Sequence, residues 1–169
     1  LVIAADGVNS RVREARRAAF APAVEWGTCR FAWLGTSRPM TAFTFLFAET
    51  EWGLFQAHAY PFEAGLGTFI VECHEDTWRR AGLDRADEAA TAAFGQAVFA
   101  GWLDGHPLVT NRSTWRSFPA IALRTWYDGN VVILGDAAHT AHFSIGSGTK
   151  LAMESAISLV DALCAVGVD

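Results

Sequence analysis

Apolar positions run unbroken in two short stretches of this chain and alternate with polar ones in others, and the two patterns predict two kinds of sheet. Residues 1–5 (Leu-Val-Ile-Ala-Ala) and 131–134 (Val-Val-Ile-Leu) are continuously apolar. Runs this short predict strands buried on both faces, as in parallel sheets. Each leads into a turn-forming pair, Asp6-Gly7 and Gly135-Asp136. Asn9 or Ser10 offers an N-cap for a short helix to Arg17, and Pro22 closes that section. Stretches 29–35, 41–48, 52–60 and 67–73 are rich in β-branched and aromatic residues and are separated by turn formers. In the third, Leu54, Gln56, His58 and Tyr60 share one side, against Phe55, Ala57 and Ala59. A mostly antiparallel sheet with one covered face is predicted. Helices follow over 76–81 and 87–103, the second with Ala90, Ala93, Phe94, Ala97 and Val98 on one side. Short strands at 115–118 and 122–126 and a turn at 127–130 precede the second apolar run. A last helix opens after the glycine-rich loop 145–148 and runs to about residue 165, with Leu151, Ala152, Ser155, Ala156, Leu159, Val160 and Leu163 at core spacing.

The order strand–helix, sheet with helices, strand–loop–helix predicts an α/β layer (residues 1–22 and 119–169) with an α+β lobe (23–118) inserted into it. Leu1 begins an apolar strand with no initiator Met, so the chain is expected to be part of a longer one. Hydrophobic residues make up 51% of it, enough for a packed core. The net charge is −5, and the one cluster of arginines (Arg11, Arg13, Arg16, Arg17) is interrupted by Glu14, which argues against a nucleic-acid partner. The three cysteines form no CxxC pair, and Cys73-His74 lacks ligand spacing, so neither a disulfide framework nor a metal site is expected. A reducing, cytoplasmic setting fits them. No apolar run reaches the roughly 18 residues of a membrane span, and no signal peptide is visible.

Candidate chemistry concentrates at Gly135-Asp136-Ala-Ala-His139 and the loop behind it. A strand ending in Gly-Asp at the carboxyl edge of a sheet stands where open α/β sheets bind ligands. An ionised carboxylate there accepts hydrogen bonds, which suits a hydroxyl-rich ligand. Glycines let backbone approach closely, and a helix start presents free N–H groups and partial positive charge. A helix-capping turn followed by an ordinary loop accounts for the same spacing, and both readings stand on the residues alone. A hydrolase triad through Asp136 and His139 is disfavoured, because Ser147 does not sit in a Gly-x-Ser-x-Gly elbow.

Residues 1–13 (Leu-Val-Ile-Ala-Ala-Asp-Gly-Val-Asn-Ser-Arg-Val-Arg) resemble the Asp-Gly motif of class A flavoprotein monooxygenases, and Gly135-Asp136-Ala-Ala-His139 resembles their second FAD motif. The resemblance spans essentially the whole chain and implies the para-hydroxybenzoate hydroxylase fold: a partial, Rossmann-like FAD-binding layer carrying an inserted substrate-binding sheet lobe. The loop departs from the family pattern. Phe143 stands in place of a Pro, Ile145-Gly-Ser-Gly148 in place of Gly-Gly-Gln-Gly, and Lys150 in place of an Asn. That variant, with His58-Ala-Tyr60 and Leu103-Asp-Gly-His-Pro107, is similar to the salicylyl-CoA 5-hydroxylase and 2-aminobenzoyl-CoA monooxygenase branch.

The resemblance implies FAD and NAD(P)H as cofactors, with O₂ and an aromatic, CoA-linked substrate. By position it gives Gly135 and Asp136 to the ribityl chain, and Phe143, Ser144, Ile145, Gly146, Ser147, Gly148, Thr149 and Lys150 to the flavin ring and phosphate side. Asp6, Gly7 and Arg13 would serve FAD and nicotinamide, although without the resemblance Arg13 reads as a solvated helix residue. His142 and Lys150 are the candidate catalytic groups, and His58 and Tyr60 the candidate substrate contacts. Phe43, Phe45, Phe47, Trp52 and Phe55 either wall the ring site or fill the sheet core. The branch also implies an FMN-binding reductase domain downstream. The family's amino-terminal Gly-x-Gly-x-x-Gly unit is missing from this sequence, so the chain alone is expected to hold FAD weakly. The competing readings are a truncated, non-catalytic scaffold or interaction fragment, and a related flavoprotein such as a halogenase. The latter would need a lysine in the substrate lobe, where there is none.

Overall fold

The computed structural model describes residues 1–167. It divides into two compact units, Leu1–Gly27 with Phe118–Asp169 and Thr28–Ser117. In chain order the elements are β1 (Val2–Ala4), α1 (Arg11–Ala15), α2 (Arg17–Phe20), β2 (Pro22–Trp26), β3 (Cys29–Thr36), β4 (Thr44–Thr50), β5 (Gly53–Glu63) and β6 (Leu66–His74). There follow α3 (Glu75–Arg80), α4 (Glu88–Val98), α5 (Ala100–Leu103), β7 (Leu108–Val109), β8 (Pro119–Leu123), β9 (Tyr127–Asp128), β10 (Val131–Ile133) and α6 (Gly148–Val166).

In the first unit β1 runs parallel to β10, with Ala4 opposite Ile133, and β9 pairs antiparallel on the other side of β10. The two continuously apolar runs therefore lie side by side and end together. Ala4, Phe20, Val131, Ile133, Ala137 and Ala138 form a small core beneath them. The expected burial of β1 on both faces is not met. It is an edge strand, and Leu1, Val2 and Ile3 are each about half exposed, because no other element among the described residues lies over its outer side. The helix expected to run unbroken to Arg17 breaks at Arg16 (φ −114°, ψ 30°) into α1 and α2. Pro22 opens a strand instead of ending the section: β2 pairs with β8 along five residues, Pro22 opposite Leu123 through Trp26 opposite Pro119. This ribbon draws residues 23–27 into the first unit. The strand at 122–126 is displaced to β8, and the turn at 127–130 contains β9.

Among the described residues only one side of α6 has a neighbour. Leu151, Ala152, Ser155, Leu159 and Leu163 are half-buried as their spacing predicts, whereas Ala156 and Val160, expected with them, are exposed. No helix among the described residues is long and apolar enough to cross a membrane.

The second unit is a five-stranded sheet, order β4-β5-β6-β3-β7, antiparallel at every pairing. Strand parity gives it two different faces. Phe55, Ala57, Phe69, Val71 and Leu34 point to the side covered by the helices and pack with Leu83, Phe99 and Leu103. Burial of each large side chain there contributes about 1.5–3 kcal/mol. α4 approaches the sheet at Gly95, where a Cβ would come within 3.0 Å of Leu108 Cδ1. Asp87 caps α4 by accepting from Ala90 N–H at 2.8 Å. The helix expected over 87–103 breaks at Phe99 (φ −107°, ψ 19°), which turns α5 back over the sheet. The strand expected at 115–118 reduces to a single bridge between Phe31 and Arg116.

The thiols report on this core. Burial pushes Cys73 up to about 12, helped by the neighbouring Cys29 and Glu72. Burial and then Glu72 raise Cys29 as well, while Cys164 is exposed on α6. Iodoacetamide at mildly alkaline pH is expected to modify Cys164 within minutes and Cys73 only after unfolding, read by peptide mass spectrometry. Equal labelling of the two in the folded chain would contradict this packing. A raised thiol pKa disfavours the folded state once the unfolded thiol ionises. The Cys73 contribution to stability is therefore lost as pH climbs from its ordinary value of 9.0 toward 12.

Candidate flavin cradle and aromatic sheet face

At the carboxyl ends of β1 and β10 the two sequence motifs meet. Asp6 directs both carboxylate oxygens inward: Oδ1 accepts from Ser10 Oγ (2.5 Å), and Oδ2 from the N–H groups of Arg11 (2.8 Å) and Val12 (3.3 Å). Desolvation alone would raise its pKa, but the Ser10 and backbone hydrogen bonds outweigh it and hold the carboxyl below its ordinary value. Ser10 in turn caps α1 through Arg13 N–H (3.0 Å). Arg13 is not a solvated helix residue. It is 9% exposed, and its guanidinium donates to the carbonyls of Ala137 (2.9 Å) and Val8 (2.6 Å). One buried side chain thus ties the Asp6-Gly7 corner to the Gly135-Asp136 turn.

Gly135 has φ +60°, a left-handed conformation that a side chain would strain, and it swings Asp136 outward. The Asp136 carboxylate is exposed, and no group among the described residues hydrogen-bonds it. His139, three residues on, stacks on Trp126 (4.8 Å, 22°) and meets Ser155 Oγ at 3.1 Å. It anchors the turn to α6 and assembles no triad with Asp136.

The loop 143–148 follows as one turn of 3₁₀ helix over Phe143–Ile145. His142 Nδ1 lies 2.7 Å from Ser144 Oγ, and its ring packs against Phe143 (4.3 Å) and Phe118 (5.5 Å). Gly146 has φ +68°, and a Cβ on Gly146 or Gly148 would meet nothing within 4 Å, so this backbone borders open space. No side chain caps α6, and the N–H groups of Gly148, Thr149 and Lys150 have no partner among the described residues. These free donors carry the positive end of a 19-residue helix. Lys150 is exposed and paired with Glu154 (2.7 Å), so its charge is shared. An exposed acceptor at a strand end, open glycine backbone and free helix N–H groups fit a cofactor with a hydroxylated chain and an electron-accepting ring.

In the second unit the face opposite the helices carries Phe43, Phe45, Phe47, Gln56, His58, Tyr60, Ile70 and Glu72 by parity. Phe43, Phe45 and Phe47 are half or more exposed, whereas Phe55 is buried in the helix-side core and Trp52 packs against it. Tyr60 is half-buried and stacks on Phe43 (5.2 Å, 8°). His58 is 1% exposed, lying under Phe45 (4.7 Å) with Nε2 3.3 Å from Glu72 Oε2. Gln56 Nε2 also donates to Glu72 Oε2 (2.7 Å). Glu72 was not singled out from the sequence. A charge inside the apolar run 69–73, on the same strand parity as His58, is the signal that marks it.

This arrangement is that of the FAD binding domain family, which residues 1–167 match, and the chain belongs to that family. Among characterised relatives it is 45% identical to a salicyloyl-CoA 5-hydroxylase from Streptomyces sp, over 96% of this chain and 33% of that protein. It is 47% identical to a 3-hydroxy-4-methyl-anthranilyl-[aryl-carrier protein] 5-monooxygenase from Streptosporangium sibiricum, over 98% of this chain and 43% of that protein. The chain therefore spans between a third and under half of these relatives. Its fold matches a flavin-dependent brominase variant with TM-score 0.74 at 15% identity, covering 100% of this chain and 44% of that one. It also matches aklavinone-11 hydroxylase solved with FAD and aklavinone, TM-score 0.68 at 21% identity, covering 97% and 30%.

Proposed function

We propose that the protein carrying this chain is an FAD-dependent monooxygenase that inserts one oxygen atom of O₂ into an aromatic ring presented as a thioester, with NAD(P)H as reductant. The observation that carries the reading is the Arg13 clamp, which ties the Asp6-Gly7 corner to the turn that carries the outward Asp136. FAD, when bound, supplies the redox and oxygen-transfer chemistry. Asp136 accepts from the ribityl hydroxyls, and Gly135 lets it turn outward. Phe143, Ser144, Ile145, Gly146, Ser147, Gly148 and Thr149 lie along the ring. The N–H groups at the start of α6 favour negative charge on the flavin by about 0.3–1 kcal/mol. Asp6, Gly7 and Arg13 shape the cradle from behind. Lys150 adds what positive charge Glu154 leaves it, and His142 borders the ring. Tyr60 and the exposed phenylalanines face the substrate ring and exclude water, and His58 supports them from beneath.

The thioester form of the substrate is supported by two relatives of similar identity whose named substrates are carried by CoA and by an aryl-carrier protein. In the complete protein, NAD(P)H oxidation and O₂ uptake are expected to rise at least about tenfold with an aryl-CoA over the matching free acid, a difference of roughly 1.4 kcal/mol. The product should gain one oxygen by mass spectrometry. Equal stimulation by the free acid would remove the thioester from the reading, and no stimulation by any aromatic compound would remove the hydroxylase.

A further inference from the structure

A cavity of about 680 Å³ lies at the β3–β7 side of the sheet in the second unit. Its floor is Trp33 and Gly35 of β3 with Thr68 of β6, and its rim is Phe62, Val109 and the loop 111–116. The volume is in the range of small-molecule sites. Its lining holds two guanidiniums, Arg112 and Arg116, and no Asp or Glu, in a chain of net charge −5. Among the described residues neither guanidinium pairs with a carboxylate. Arg116 Nε donates only to Thr114 Oγ1 (3.3 Å). Glu88 is turned to the loop backbone, accepting from Ser113 N–H at 3.0 Å.

The backbone of the loop that carries these two exposed residues is held in place. Ser113, 2% exposed, donates to the carbonyl of Trp33 (2.5 Å) and accepts from Asn111 N–H (3.0 Å). Arg116 is bonded through its backbone to Phe31 in both directions, at 2.8 and 2.9 Å. Arg112 sits in the left-handed region, φ +55°, which a non-glycine residue adopts only when its surroundings impose it. Strand register fixes where the groove leads. Gly35 stands opposite Thr68, and Thr68 opposite Tyr60; Trp33 stands opposite Ile70, and Ile70 opposite His58. The groove and the aromatic face around Tyr60 share one side of one sheet, two strand spacings or about 10 Å apart.

A CoA thioester and a carrier-protein thioester share one chemical part, a 4′-phosphopantetheine arm with a phosphate at one end and the acyl group at the other. We propose that this groove receives that arm, with Arg112 and Arg116 on the phosphate and the aryl end directed along the sheet to Tyr60. Trp33, Phe62 and Val109 take its hydrocarbon, and Asn111 its amides. The assignment rests on the thioester reading above.

The test uses the complete protein with both arginines replaced (Arg112→Ala with Arg116→Ala) and three forms of one aryl substrate: the CoA thioester, the carrier-protein thioester and the N-acetylcysteamine thioester, which lacks the phosphate. The ratio of kcat/KM for each arm-bearing thioester to that of the truncated one is expected to collapse by about tenfold or more, the effect of losing charge-assisted contacts to phosphate. An unchanged ratio overturns the assignment. A collapse with aryl-CoA that spares the carrier-protein thioester also overturns it, because the arginines would then serve phosphates that only CoA has. If the unsubstituted protein turns over no thioester, the thioester reading fails by itself, and calorimetry with CoA decides the groove. Binding lost in the double variant supports it, and equal binding by both proteins, or by neither, sinks it.

Discussion

Asp136→Ala is expected to leave the complete protein folded but unable to retain FAD through gel filtration, with affinity reduced roughly a hundredfold or more. The side chain is exposed and bonded to nothing among the described residues, so its loss removes no packing. A carboxylate can accept hydrogen bonds on both oxygens, and hydrogen bonds to a charged group contribute about 1.5–3 kcal/mol each. Two of them account for at least roughly two decades of affinity. Asp136→Asn keeps an acceptor without the charge and should fall between. The measurement is flavin absorbance per protein, with a dissociation constant from fluorescence titration. A variant that stays yellow at full stoichiometry would show that the exposed carboxylate is only a turn residue. Asp6 cannot play the same part, since both its oxygens are held by Ser10, Arg11 and Val12.

The strand-and-turn skeleton of the cradle was legible because it depends on local chemistry. The apolar runs, the glycines needed for left-handed turns and the helix start at the glycine loop all leave short-range marks. The partial burial of α6 at Leu151, Ser155, Leu159 and Leu163 follows from 3.6-residue spacing alone. What stayed hidden depends on distant partners. β2 is short, flanked by Pro22 and mostly exposed, and it is a strand only because β8 comes beside it. Arg13 reads as a surface arginine until the carbonyl of Ala137, far along the chain, is placed against it. The phenylalanines of β4 and those of the helix-side core have the same composition, and only the register with β5 separates the exposed Phe45 and Phe47 from the buried Phe55. β1 erred in the other direction. Its apolar run describes a strand meant to be covered, and no element among the described residues supplies the covering.

Glu72→Leu is expected to destabilise the second unit by about 1–3 kcal/mol, the cost of leaving a buried donor without its acceptor. Both side chains are almost fully enclosed, 2% exposed for His58 and 3% for Glu72. Glu72 accepts from Gln56 and lies 3.3 Å from His58 Nε2. Glu72 also raises the pKa of the neighbouring Cys29 thiol, after burial. Leucine would fill much of the space, leave Gln56 short of its acceptor and strip His58 of its polar neighbour beneath the aromatic layer. The same physics predicts a recovery. Glu72→Leu combined with His58→Leu removes both members of the closest pair, and apolar replacement of a whole buried pair is often close to neutral. The double variant should regain at least half of the lost stability, a coupling that only contacting residues show. Urea unfolding followed by tryptophan fluorescence is the measurement, because Trp33, Trp52, Trp78, Trp102 and Trp115 all lie in the second unit. A single variant that loses less than about 1 kcal/mol, or a double variant as unstable as the single, would mean that the sheet is held by its helix-side core alone.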